Sequence, residues 1–284
     1  MRDPCALSSN DFRRLSDLVY SECGIQITPE KQTMLEGRLR KRLRSLNLGS
    51  SAEYCSYVFS GSGHPEEIPH LIDVVTTNKT DFFRESRHFD YLLGVVVPEM
   101  FAQAGSSRRL FFWSAGCSTG EEPYTLAMVL ADYAERNKGF RFQLLASDIS
   151  TQVLEHAQRA IYKSELLKPV PPDLHRKYVM RSKDRTSPFQ RIVPELRQLV
   201  EFRRLNLMEN DFGIDEPVDV IFCRNVIIYF DPPTRAKLLN RFSRQLRPGG
   251  HLFLGHSETL NGLDVPLASV GPTVYRKPNG PPGR

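Results

Sequence analysis

From about Ser9 to Val75 apolar residues recur at helical spacing. Phe12, Leu15, Leu18, Val19 and Tyr20 form one face, with Ser9 or Asn10 as the expected cap and Gly24 as the stop. Thr28-Pro29 opens a second helix through Met34 to Leu46, with proline in its first turn. Leu35, Leu39, Leu43 and Leu46 fall on one stripe; Arg40, Lys41 and Arg44 project opposite, and Arg38 and Arg42 flank it. A shorter helix around Ala52 to Phe59, a loop over 60–65 and a helix from Glu66 to Val75 complete this half.

Residues Thr76 to Glu85 (TTNKTDFFRE) break the periodicity with short polar side chains that bond locally rather than continue a helix. Phe82-Phe83 would pack this connector down, and a packed polar connector is a common place for a ligand. Beyond it, short apolar runs alternate with helical ones, which is the rhythm of a largely parallel sheet. The expected strands are Leu110 to Trp113, Phe142 to Ile149, Leu199 to Leu207, Val218 to Val226 and Gly250 to Gly255, closed by an antiparallel pair within Leu267 to Lys277. Helices are expected after Glu121, from Thr151 to Ile161, and from Asp231-Pro232-Pro233 to about Arg247, where Pro248-Gly249-Gly250 should turn the chain. Tyr162 to Leu196, rich in proline and charge, interrupts the alternation. It reads as an inserted short helix, Asp173 to Tyr178, with strands near 178–180 and 190–193. The tail 279–284 should fray.

Composition adds little to this picture. The chain has 284 residues, 40% hydrophobic and 25% charged, as in ordinary globular proteins. Five scattered cysteines without a C-x-x-C pair suggest reduced thiols and no zinc site, so no metal is expected. The sequence has no apolar run long enough to span a bilayer, so a cytoplasmic protein is expected. A formal charge of +5 fits nucleic acid, a membrane surface or an acidic protein partner. The second helix concentrates that charge, with only Glu36 opposing five basic residues. It reads either as a solvated face or as a dock for an acidic surface. No aromatic residues interleave with it to stack bases.

The chemistry gathers where strands end. Ser114-Ala115-Gly116-Cys117-Ser118-Thr119-Gly120 links the first strand to a helix opened by Glu121, Glu122 and Pro123, with Thr119 or Ser118 as the expected cap. It is neither G-x-G-x-x-G nor a phosphate loop, which would require a lysine. Two acids there would repel a pyrophosphate but suit a cationic ligand, so charge sign favours S-adenosylmethionine over a dinucleotide. The same acids would equally complement the helix dipole. Asp148 ends the second strand, where an acid accepts hydrogen bonds from ribose hydroxyls; Ser150 is free to cap the next helix. Asn206, Arg224-Asn225 and His256-Ser257 end the remaining strands, so all should face one crevice.

Together TTNKTDFFRE (76–85), SAGCSTGEEPYTLAM (114–128), ASDIS (146–150), FCRNVIIYF (222–230) and LGHSE (254–258) closely resemble the chemotaxis receptor methyltransferases of the CheR type. The resemblance implies an α/β, Rossmann-like S-adenosylmethionine-dependent methyltransferase sheet with an all-helical N-terminal domain and a small β insertion. The boundaries would be a helical domain 1–75, a donor-site linker 76–90 and a catalytic domain 91–284 with the insertion at about 163–197. It implies methyl transfer from S-adenosylmethionine, leaving S-adenosylhomocysteine, to glutamate side-chain carboxylates on chemoreceptor cytoplasmic domains. Asn78, Thr80, Arg84, Glu122, Asp148, Asn206, Leu207, Arg224 and Asn225 would contact the donor, with Arg84 and Tyr229 nearest the transferred methyl. The basic helix, Arg38 to Arg44, would dock on the acidic helical bundle of the receptor. The loop Arg181 to Gln190 lacks the glycines of members that bind a receptor tail peptide, so that contact is not expected. Neither nucleic-acid binding nor membrane insertion is expected, and a monomer is. A base-modifying methyltransferase would need Asn/Asp-Pro-Pro-aromatic after the fourth strand, where this chain has Asn225-Val-Ile-Ile-Tyr229. A donor-binding sensor without catalysis would keep Glu122 and Asp148 but have no use for Arg84 and Tyr229.

Overall fold

A computed structural model describes residues 5–60 and 65–280. The chain divides into two compact units: residues 1–77 with Tyr229–Thr234, and residues 78–228 with 235–284.

The first unit is helical. Helices α1 (Ser9–Cys23), α2 (Gln32–Leu46), α3 (Ser51–Phe59) and α4 (Glu67–Val75) bury Leu15, Leu35, Leu39 and Tyr54 completely. Each leucine so buried contributes roughly 1.5–3 kcal/mol. Ser8, not Ser9 or Asn10, caps α1, accepting from the Asp11 N–H at 3.0 Å, and Gly24 ends it at φ 72°. Two of the basic residues on α2 have inward uses. Arg42 Nε donates to Glu67 Oε1 at 2.8 Å, and the Tyr54 hydroxyl donates to the same oxygen at 2.8 Å. Arg38 Nη1 reaches the carbonyls of Val74, Val75 and Thr76, closing the end of α4. Arg40, Lys41 and Arg44 are exposed. Most of the loop expected at 60–65 lies outside the described residues.

The second unit opens with α5 (Arg87–Tyr91), a π turn and α6 (Val97–Ala104). Its sheet is built from β1 (Leu110–Ala115), α7 (Glu121–Arg136), β2 (Phe142–Asp148) and α8 (Thr151–Arg159). A separate three-stranded antiparallel sheet follows: β3 (Ile161–Lys163), α9 (Pro172–Tyr178), β4 (Val179–Arg181) and β5 (Phe189–Ile192), in order β3-β5-β4. Ile161, expected at the end of α8, begins β3 instead, because Ala160 closes the helix at φ 54°. After α10 (Pro194–Arg197) come β6 (Val200–Arg204), β7 (Val218–Cys223), α11 (Pro232–Gln245), β8 (Leu246–Leu254), β9 (Ala268–Gly271) and β10 (Val274–Arg276). The third and fourth strands stop short of the expected Leu207 and Val226, leaving those residues to loops.

The seven-stranded order is β6-β2-β1-β7-β8-β10-β9; pairings from β6 to β8 are parallel, and β10 runs antiparallel to both its neighbours. From β1 the chain proceeds outward through β2 to β6, then crosses to β7 on the other side. The switch point therefore lies between β1 and β7, where such sheets open a ligand crevice at their carboxyl ends. Trp113 is fully buried there, its indole N–H donating to Ser147 Oγ at 2.9 Å. The turn expected at 248–250 is taken up within β8 as a bulge, where Leu246 and His251 pair with Val218 and Val220. Gly249 takes φ 79°, and a Cβ on Gly250 would lie 2.9 Å from the Asp219 carbonyl. Gly250 lets β8 press against β7 across an irregular register, while a Cβ on Gly249 would meet Asn279.

Candidate active site

Three loops meet at the carboxyl ends of β1, β2 and β7. Among the described residues, seven non-glycine residues have positive φ. Asn47, Ala160 and Thr273 sit at helix ends or a hairpin, but Phe83, Glu85, Ser118 and Asn225 cluster in these loops and the connector beside them. Left-handed backbone at several adjoining positions is held only where surrounding contacts over-determine it.

The β1 loop does not use the expected cap. Gly120, at φ 99°, occupies the cap position without a side-chain bond, and Thr119 Oγ1 instead donates to Glu121 Oε2 at 2.6 Å. Ser118 ties two loops together: its N–H donates to Asp148 Oδ2 at 2.8 Å and its hydroxyl to the Asn78 carbonyl at 2.8 Å. Asp148 Oδ1 accepts from the Ser150 N–H at 3.0 Å, while Ser150 Oγ caps α8 through the Val153 N–H, as expected of Ser150. Asn206 Oδ1 accepts from Met208 N–H at 2.9 Å, folding the turn after β6, and the Leu207 carbonyl accepts from the buried Arg241 guanidinium.

Arg224 is the centre of charge. It is 6% exposed and donates to the Arg84 carbonyl. Its guanidinium lies 3.3 Å from Glu85 Oε2 and 3.6 Å from Glu122 Oε2, with Phe89 and Phe222 rings at 5.4 and 5.9 Å. Glu122 also accepts from Ser114 Oγ at 2.6 Å. Burial nevertheless keeps its carboxyl above the usual range, the nearby Arg224 only partly offsetting it. Burial also works against the Glu85 charge, but Arg224 and the His256 N–H outweigh it, so that carboxyl is held low. Glu121 is pushed by burial up to about 7 against its Thr119 bond. His88, Glu85 and His256 place ligating atoms within 4.8 Å of one another. The Glu85 oxygen they share already faces the Arg224 cation, which makes the group an ion-pair cluster.

Several buried polar atoms here have no hydrogen-bond partner: Arg224 Nη1 and Nε, Asn225 Oδ1 and Glu85 Oε2. Donors, an acceptor and carboxylates together suit a zwitterionic amino-acid group beside a cation. Asp148, with a carboxylate at the end of β2, suits ribose hydroxyls. The residues therefore fit S-adenosylmethionine. Arg84 is half-buried, its Nη1 donating to the backbone carbonyl of Lys79 at 3.0 Å, with no hydrogen bond to a side chain among the described residues. Thr80 is half-buried in the same connector. Tyr229 belongs to the helical unit, where its carbonyl accepts from the Gln26 N–H at 3.0 Å and Lys31 Nζ lies 5.8 Å from its ring.

The sequence reading missed Glu85, Ser118 and Glu258. Glu85 and Glu258 stand inside motifs it quoted, yet their partners are remote in the chain, so spacing carries no trace of them. Glu258 Oε2 accepts from the N–H groups of Asn225 and Gly255 at 2.8 and 2.6 Å. Two cavities of about 430 and 320 Å³, lined by Arg109 and Phe111 among others, open at the amino ends of the strands, away from this chemistry.

The family model described as "CheR methyltransferase, SAM binding domain" matches residues 78–275, and "CheR methyltransferase, all-alpha domain" matches 10–76. The chain is 41% identical over 275 residues to the chemotaxis protein methyltransferase of Escherichia coli K12, covering 97% of this chain and 93% of that one. It is 38% identical over 274 residues to that of Borreliella burgdorferi B31, covering 95% of each. It is 41% identical over 265 residues to chemotaxis protein methyltransferase 2 of Pseudomonas aeruginosa PAO1, covering 93% and 92%. The methyl donor is S-adenosylmethionine, the sheet is the Rossmann-like sheet of a methyltransferase, and the setting is chemotaxis. The chain belongs to the CheR family of chemotaxis methyltransferases.

Proposed function

We propose that this protein methylates glutamate side chains on the cytoplasmic domains of chemoreceptors, giving methyl esters. S-adenosylmethionine, when bound, supplies a sulfonium-activated methyl group. A glutamate acceptor has a pKa near 4.3 and is ionised at neutral pH, so it needs no general base. What remains is positioning, which supplies several kcal/mol.

The observation that carries this reading is the guanidinium of Arg84, on the connector beside Glu85 and Arg224, with most of its N–H groups unengaged. A planar fork of donors matches a carboxylate. Full neutralisation would blunt the nucleophile, since its charge falls in the transition state. The bond to the Lys79 carbonyl holds the fork in place and leaves part of it for the substrate. Tyr229, by the family resemblance, orients the carboxylate through its hydroxyl. Asn78, Thr80, Glu122, Asp148, Asn206, Leu207, Arg224 and Asn225 hold the donor. Arg40, Lys41 and Arg44 on α2 meet an acidic receptor surface, while Arg38 and Arg42 serve the helical unit itself.

The test is labelled donor offered with a receptor cytoplasmic fragment. Methyl label on the fragment that mild alkali releases as methanol supports an ester of glutamate. Alkali-stable label, or label on nucleic acid only, contradicts it.

A further inference from the structure

The loop after β7 adopts a shape that its own residues do not stabilise. Asn225 is left-handed at φ 58°, a conformation asparagine tolerates better than most residues but that is held by surrounding contacts. The short turn Ile227–Tyr229 follows at once, and its opening N–H groups lack helical partners. One side chain answers for them. Glu258, 4% exposed on the loop after β8, accepts from the N–H groups of Asn225 at 2.8 Å, Gly255 at 2.6 Å and Ile228 at 3.3 Å. These bonds oppose the burial that pushes the carboxyl up. Bonds to a carboxylate are about twice as strong as neutral ones.

Gly255 completes the fit. A Cβ there would stand 2.6 Å from Asn225 Nδ2, 2.9 Å from Asn225 N and 2.9 Å from Glu258 Oε2. Two loops therefore lock only with glycine at 255 and a carboxylate at 258. What the lock presents is the Asn225 amide, whose buried Oδ1 has no hydrogen-bond partner among the described residues.

We propose that Glu258 is a positioning residue of the donor site, acting through Asn225 by fixing its left-handed backbone and the turn that leads to Tyr229. The proposal rests on the donor-site reading above. The test is a double-mutant cycle, read by calorimetric titration of the full chain with S-adenosylhomocysteine. Glu258→Gln keeps the shape but turns an amide N–H2 toward backbone donors. It should weaken binding fivefold or more, and less than twofold further in an Asn225→Ala background. If Gln fails to fold, Glu258→Asp, with the charge one methylene short, runs the same cycle. A loss below twofold in the wild-type background, or the same loss in both backgrounds, would overturn the proposal, the latter showing general loosening. Absence of binding by the unmodified protein, or full binding by Asn225→Ala alone, would instead sink the donor-site reading and this proposal with it.

Discussion

At the scale of single residues, burial decides which carboxylates carry charge. Glu121 ordinarily titrates near 4.5 but is held at about 7 in the folded chain. The native state therefore keeps a proton that the unfolded chain has lost between these values, and stability falls as pH rises through that window. The full penalty, on the order of 3 kcal/mol, is present only above pH 7. Glu121→Gln, which can still accept from Thr119, should leave the melting temperature nearly unchanged at pH 4.5 and raise it by several degrees at pH 8. An equal shift at both values would show that the penalty is not electrostatic. Arg84→Ala and Tyr229→Phe should fold normally and lose most receptor methylation, at least tenfold in kcat/KM; near-normal turnover in both would remove them from the chemistry. Ser150 was legible as the α8 cap from position alone, since a helix start favours a side chain that accepts from its first N–H groups. Glu85 and Glu258 were not, because their worth lies in N–H groups and guanidinium atoms that the chain returns from far away.

At the scale of elements, apolar periodicity located most helices and strands because burial of one face is a local property, although no helix was expected where α5 and α6 lie. What failed was punctuation. Pro248-Gly249-Gly250 has the composition of a turn, yet it forms a bulge inside β8, where Gly250 serves the close approach to β7. Gly120 was passed over as a cap in favour of hydroxyls. A Cβ on it would meet Tyr162 Oη at 2.7 Å and the Ala157 Cβ at 2.8 Å, at a φ of 99°. Gly120→Ala should therefore cost about 2 kcal/mol or more in urea denaturation and weaken donor binding, because the β1 loop must shift. Unchanged stability would mean the loop has slack the structure does not show. Helix α2 illustrates the same limit. Its charge pattern is visible in sequence, but which arginines face inward is not. Arg42→Ala leaves the buried Glu67 without its cation and should cost about 3–5 kcal/mol, whereas Arg40→Glu with Arg44→Glu should leave stability within about 1 kcal/mol.

At the scale of the whole molecule, that charge pair separates docking from solubility. If α2 meets an acidic receptor, Arg40→Glu with Arg44→Glu should raise KM for the receptor fragment severalfold and flatten its salt dependence, with donor affinity unchanged. Unchanged receptor KM and salt response would argue against α2 as the dock. Among the described residues no helix is long and apolar enough to cross a membrane. The larger claim concerns where the donor lies. We propose that it lies at the switch point between β1 and β7, beside the carboxylates of Glu122 and Asp148 and the Asn225 and Arg224 atoms that have no hydrogen-bond partner among the described residues. A crystal grown with S-adenosylhomocysteine tests this most directly. The account predicts ribose hydroxyls on the Asp148 carboxylate and the amino-acid end beside Asn225 Oδ1 and Arg224. A nucleoside bound elsewhere, for instance in the arginine-lined cavity at the opposite edge of the sheet, would contradict it.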